Sequence, residues 1–186
     1  HLNIFGPKPL EKFGNPELKQ ESLPKIISGE EKMCFAVTEP NSGLDTSSLE
    51  TKAERTNNGY VINGRKIWTT GAQRADKILI IARTTPKDQC SKPHLGLSLF
   101  YTDLNRDRIE ANPIPKMGRK AVECNMLYID GLEVPKDHLI GEEGEGFKYL
   151  LQGLNPERVL FAVESIGLGF AALERAATYA KERVVF

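Results

Sequence analysis

The sequence predicts an α+β chain: an antiparallel β-barrel or sandwich in the middle, flanked by helices that belong to helical domains on either side. Three observations carry that expectation. Apolar residues recur at helical spacing near the start, over 16–29, and again from Glu145 onward. Between them the pattern turns to short β-rich runs punctuated by Asn58-Gly59 and Asn63-Gly64, both tight-turn signals. The predicted divisions are 1–31, the end of an N-terminal helical domain; 32–143, a middle β domain; and 144–186, the first long helix of a C-terminal bundle.

The first helix is placed by its punctuation. Asn15 caps it, Pro16 occupies its first turn and Gly29 stops it, with Leu18, Leu23, Ile26 and Ile27 forming its apolar face. The strand candidates follow at 34–38, 60–62, 65–68, 78–83, 95–101 and 126–134, a β region of about 110 residues, enough to bury its own core. The prolines and mixed charges of 84–93 predict an exposed loop. The run Gly141-Glu142-Glu143-Gly144-Glu145-Gly146 has the wrong spacing for a dinucleotide fingerprint, and its glutamates would repel a pyrophosphate, so it reads as a hinge into the last helix. That helix carries Phe147, Leu150, Leu151, Leu154, Leu160, Val163, Ile166 and Leu173. Pro156 has no N–H for the Gln152 carbonyl, which predicts a kink or restart beside Asn155, Glu157 and Arg158.

Composition narrows the function classes. With 25 basic and 25 acidic side chains among 186 residues, net charge supplies no field for nucleic acid or an anionic membrane. No apolar run reaches the roughly 20 residues of a membrane span. The three cysteines, Cys34, Cys90 and Cys124, are scattered and suggest neither disulfides nor zinc, which fits a reducing compartment. His1, His94 and His138 are isolated, and no metal site is expected.

The most informative segments are 35–43, Phe-Ala-Val-Thr-Glu-Pro-Asn-Ser-Gly, and 63–71, Asn-Gly-Arg-Lys-Ile-Trp-Thr-Thr-Gly. Both present hydroxyls and glycine at the end of a strand-like run, and the second adds an aromatic. Hydroxyl and backbone N–H donors beside a polar-edged ring tune its electronics, so the pair suits a flavin. Thr38 and Thr70 are the candidate donors. Threonines in strands are common, and a single tryptophan is more often core than cofactor wall; both readings stand on these residues alone.

The run 34–45 and the segment 62–70, with Met117-Gly118-Arg119, the stretch 134–147 and the closing Ala180-Lys181-Glu182-Arg183-Val184-Val185-Phe186, resemble the acyl-CoA dehydrogenases, in order and over nearly the whole chain. The resemblance implies FAD held between the β domain and the C-terminal bundle. It further implies oxidation of an acyl-CoA thioester to a trans-2-enoyl-CoA, with electrons passed to an electron-transferring flavoprotein. A homodimer or homotetramer is implied too, in the cytoplasm for a bacterial source or the mitochondrial matrix for a eukaryotic one.

Residue by residue, the resemblance implies that Phe35, Val37, Thr38, Gly43, Trp68, Thr69, Thr70 and Arg183 serve FAD. Thr38 would address the pyrimidine edge of the ring, Thr70 its N5, and Trp68 the face opposite the substrate. Arg183 would reach an FAD pyrophosphate across a dimer interface; without the resemblance it is a cation near a helix C-terminus. Leu44, Asn155 and Arg158 would line the acyl-CoA channel. Leu44 departs from a frequent serine, Asn41 from a frequent glycine and Asn155 from a common aspartate, departures that bear on substrate choice. Glu157 matches the catalytic base of the branch resembling isovaleryl-CoA and long-chain acyl-CoA dehydrogenases. The competing reading makes Glu157 a solvated acid and puts the base beyond Phe186. Lys116, Arg119 and Lys120 read as surface. A related flavin oxidase or monooxygenase, and a non-catalytic β-domain fragment, are the alternative functions.

Overall fold

The computed structural model describes residues 2–186; His1 lies outside them. Three helices come first: α1 (Leu2–Phe5), α2 (Lys8–Phe13) and α3 (Pro16–Ser28). α3 is capped as its sequence predicts. Asn15 Oδ1 accepts from Leu18 N at 2.7 Å, and Gly29 closes the helix at φ 82°. Its buried stripe is Leu18, Ser22 and Ile26, four apart, which turns Ile27 outward to solvent.

Seven strands follow: β1 (Met33–Ala36), β2 (Lys52–Thr56), β3 (Gly59–Thr70), β4 (Lys77–Arg83), β5 (Leu97–Asp103), β6 (Ile109–Pro113) and β7 (Cys124–Pro135). They form one curled sheet in the order β1-β4-β2-β3-β7-β6, with β5 on the other edge of β4. The sheet is mixed. β1 runs parallel to β4, as does the single β2 pair Lys52↔Arg83, and the remaining pairings are antiparallel.

β3 corrects the reading of Asn63-Gly64. Instead of turning, the chain continues as one strand of 12 residues with an irregularity there: its register against β7 shifts between Ile62 and Gly64. Gly64 sits at φ 155°, and a Cβ on it would lie 2.6 Å from Thr51 Oγ1, so the close approach of β2 requires glycine.

Strand alternation sorts the core into two layers. Ile78, Ile80 and Ala82 face one cluster with Phe100, Leu127 and Ile129. Leu79 and Ile81 face the other, where Leu97, Leu99 and Tyr101 meet Leu10, Leu18, Ile26, Tyr149 and Leu150 of the helices. β4 is therefore buried along its whole length.

The last helix, α4, spans Gly146–Glu182 and passes through Pro156 without restarting. Its first turn is wedged against β5: a Cβ on Gly146 would lie 2.5 Å from Leu99 N and from the Ser98 carbonyl carbon. The glycine-glutamate run ahead of it is tied down rather than hinge-like. Glu143 accepts three bonds from Arg55 at 2.7–3.1 Å and another from the Tyr60 hydroxyl at 2.7 Å, while Gly144 N donates to Ser98 Oγ at 2.9 Å. Past Asn155 the helix leaves most of its apolar residues exposed, among them Val163, Ile166, Leu168, Phe170 and Leu173. Among the described residues no helix is long and apolar enough to cross a membrane.

Candidate active site

The two threonine-bearing segments meet where β1 ends. Beyond Ala36 the chain passes through Val37 and Thr38 into a tight turn at Pro40-Asn41, closed by Glu39 N–Ser42 O and Ser42 N–Glu39 O bonds, each 3.1 Å. Thr38 O accepts from Ile67 N at 2.9 Å, which joins this segment to β3 beside Trp68.

Trp68 departs from its strand. Its φ of 62° is left-handed, unusual for any residue with a β-carbon and a source of backbone strain in one so large. The β3–β7 register shifts again between Lys66 and Thr69, so Trp68 rides a bulge, and its side chain is 54% exposed. Two residues on, Thr70 Oγ1 lies 3.4 Å from Cys124 Sγ. Thr69 points the other way. Its side chain is buried without a hydrogen-bond partner, and its carbonyl accepts from Asn125 Nδ2 at 3.0 Å; a surface-bound ring would not meet the Thr69 hydroxyl.

Phe35 and Val37 pack toward the helix-facing core, Phe35 edge-on to Phe5 with ring centroids 5.5 Å apart. Gly43 is explained by nothing in the chain's own packing. A Cβ there would meet only Thr38 Cγ2, at an ordinary 3.6 Å. Leu44 beside it is fully exposed.

Beneath these residues lies a pair the sequence did not single out. Lys66 is completely buried, and its Nζ donates to Val37 O at 3.0 Å and to Glu39 Oε1 at 2.9 Å. Glu39, also buried, accepts further bonds from Glu50 N at 2.6 Å and Thr51 N at 2.9 Å. Burial pushes the Glu39 carboxyl up, but Lys66 and the Thr51 and Glu50 donors outweigh it and hold it below its usual range. Burial pulls Lys66 down to about 8, against the opposing pull of Glu39. The available signal was parity: Lys66 follows Tyr60 and Ile62 on the alternation that faces inward.

The remaining predicted residues sit on α4 and at its end. Glu157 is half-buried, and burial raises its pKa above the usual carboxylate value despite Arg158 beside it. Arg158 Nη1 donates to Asn155 Oδ1 at 2.7 Å, so these two exposed residues pair with each other. Arg183 caps α4 through its backbone N–H to Tyr179 O at 2.9 Å, and its guanidinium bonds the Tyr179 hydroxyl. Arg119 is more than bare surface. It pairs with Glu164 of α4 and lies 5.3 Å from the centre of the Phe161 ring, linking the loop before β7 to the helix that carries Glu157.

The cysteines are free, and burial pushes the Cys34 thiol up to about 12. A cleft of about 800 Å³, lined by residues including Ser48, Lys52, Arg83, Thr84 and Lys87, contains none of the predicted site residues.

Comparison with known proteins decides what this arrangement belongs to. Residues 34–132 match the model of the acyl-CoA dehydrogenase middle domain, and 144–186 that of the acyl-CoA dehydrogenase C-terminal domain. The chain belongs to the acyl-CoA dehydrogenase family. An acyl-CoA dehydrogenase of Bacillus subtilis (strain 168) is 37% identical over 100% of the chain and 48% of that protein. The crystal structure of an acyl-CoA dehydrogenase from Geobacillus kaustophilus superposes with a TM-score of 0.91 at 32% identity, covering 100% of the chain and 49% of that structure. A structure described as the FAD complex of PigA gives 0.90 at 28% identity, covering 100% and 48%. The chain spans about half the length of the relatives it matches. Within this acyl-CoA dehydrogenase chain, the contacts that sequence reasoning did not foresee are those of Glu39 with Lys66, Cys124 with Thr70, and Arg119 with Glu164.

Proposed function

We propose that the protein of which this chain forms part is an FAD-dependent acyl-CoA dehydrogenase. It oxidises an acyl-CoA thioester to the trans-2-enoyl-CoA and passes the electrons to an electron-transferring flavoprotein. The observation that carries this reading is Trp68: an exposed indole in a left-handed conformation, on a bulge joined to Thr38 through Ile67 N. Strain of this kind persists where a site is over-determined, and a flat ring is the ligand that an unpaired indole face suits.

The donor set fits a flavin. Thr38 and Thr70 would offer hydroxyls to its polar edge, Trp68 would cover a face, and Gly43, which the fold itself does not require, would leave room for close approach. FAD, when bound, would supply the hydride acceptor for the substrate β-carbon. Glu157 takes the α-proton. Desolvation already raises its pKa, and a substrate that further excludes water strengthens it as a base. Asn155 and Arg158 would line the approach of the acyl-CoA, and Arg183 would serve the FAD pyrophosphate of a second subunit. The exposed apolar residues of α4 support packing of this helix within a C-terminal bundle, in a homodimer or homotetramer.

Anaerobic addition of acyl-CoA esters of several chain lengths to the intact, flavin-loaded protein tests the reading. Rapid loss of the oxidised-flavin absorbance supports a dehydrogenase. Absorbance unchanged by every ester tried sinks it.

A further inference from the structure

We infer that the buried Glu39–Lys66 pair positions the flavin-facing residues, locking Thr38 against Trp68 from inside the sheet. The inference rests on the flavin reading above and deepens it by naming two residues that act through others.

The geometry brackets Thr38 from three sides. Lys66 Nζ holds the carbonyl of Val37, the residue before it, and the carboxylate of Glu39, the residue after it. Ile67 N, adjacent to Lys66, holds the carbonyl of Thr38 itself. Three successive residues of one segment are thus fastened by two successive residues of the other. Glu39 extends the grip to Glu50 N and Thr51 N, so the chain that returns toward β2 is held by the same carboxylate.

The location explains the need for such a fastening. Between Lys66 and Thr69 the β3–β7 register shifts, and neither Ile67 nor Trp68 has a ladder partner on β7. Nothing in regular sheet pairing therefore fixes the left-handed turn of the backbone at Trp68. Lys66 is the last β3 residue in register before this gap, and it points inward. A fully buried ion pair is a poor source of net stability, because desolvating two charges offsets most of their attraction. Its directional bonds, three to the carboxylate and two from the ammonium, define one arrangement of the two segments.

The experiment uses the intact flavoprotein and five variants: Lys66→Met; the paired Glu39→Gln/Lys66→Met; Glu39→Asp, which keeps both charges but shortens the carboxylate's reach; and Trp68→Ala, alone and added to the paired variant. FAD affinity is read by titrating the flavin-free protein, the flavin environment by its visible spectrum, and folding by denaturant unfolding of the flavin-free protein. Lys66→Met strands a buried carboxylate and is expected to unfold more easily. The paired variant removes both charges and is expected to fold, with FAD affinity weakened on the order of tenfold and a shifted visible band. Trp68→Ala added to the paired variant is expected to cost less affinity than in the wild type, because the indole is already misplaced. If the paired variant fails to fold, Glu39→Asp carries the test: a shifted band in a folded protein supports the role. A folded paired variant, or a folded Glu39→Asp, with wild-type affinity and spectrum overturns it, whatever the change in stability. A wild type that takes up no flavin overturns the flavin reading itself, and this inference with it.

Discussion

The Thr70 hydroxyl lies 3.4 Å from the Cys124 thiol across the β3–β7 pair, so the proposed N5 donor is oriented by a neighbouring strand. Cys124→Ser keeps a hydrogen-bonding partner there, and Cys124→Ala removes it. Thr70→Val is expected to slow flavin reduction by on the order of tenfold to a hundredfold, as loss of one preorganised donor does. Cys124→Ala is expected to fall between Thr70→Val and the wild type, with Cys124→Ser near the wild type. Stopped-flow reduction by substrate checks the order.

Trp68→Asn separates fold from function. Asparagine tolerates the left-handed region, so relief of the φ 62° backbone is expected to leave the flavin-free protein as stable or more stable by up to about 1 kcal/mol. Flavin affinity is expected to fall. Thermal unfolding of the flavin-free protein, set beside FAD titration, reads the two effects in opposite directions.

Glu157→Gln is expected to retain flavin and lower the rate of flavin reduction by at least about a hundredfold, within the range that one positioned base supplies. In the wild type the reduction rate should fall as pH drops through a value above the ordinary glutamate pKa, because burial raises this one and the base acts ionised. The stability linkage has the opposite sense. A carboxyl raised in the folded state stabilises below its unfolded pKa, and that contribution is lost as pH rises through the folded value. Glu157→Gln is therefore expected to cost no stability at pH 7, measured by denaturant titration.

Glu143 behaves as the reverse case. Burial pushes its carboxyl up, but Arg55 and Tyr60 outweigh that and lower it. Its contribution to stability is present above the unfolded pKa and fades as pH falls through the depressed folded value. Glu143→Gln is expected to cost about 1 kcal/mol at pH 7, solvent screening of the exposed Arg55 keeping the loss small, and to flatten acid destabilisation. Urea midpoints between pH 7 and the carboxylate range check both.

Gly146→Ala is expected to destabilise by about 2–4 kcal/mol, because the new methyl would press on the β5 backbone rather than on a flexible side chain. A variant with an unchanged unfolding midpoint would remove the wedge from the account of α4.

α3, α4 and the strands β4, β5 and β7 were legible because their apolar patterning is strong and, for α3, the caps Asn15 and Gly29 are explicit. β2 and β6 were not. Only Ala53 is buried in β2, and β6 buries Ile109 and ends in Pro113, so neither carries the alternation that reveals a strand. Asn63-Gly64 misled because glycine serves a turn and a close backbone approach equally well, and only the position of Thr51 distinguishes them. At the candidate site, residue chemistry and resemblance are what propose Thr38, Trp68 and Thr70 for the flavin. Thr69 could not be sorted from Thr70 without the bulge that turns one inward. Glu39 and Lys66 were hidden by a default that is usually right: charged side chains belong to solvent, and only long-range pairing brings these two together inside.

The anchored start of α4 has a mechanical side. A helix of 37 residues is about 55 Å long, so a tilt of about 5° at its base would swing its far end by about 5 Å. Glu143 and Gly146 grip the short arm of that lever, while Arg183 sits at the tip of the long one. Small losses of fit at the base are therefore magnified with distance, and Arg183 would be displaced further than Glu157.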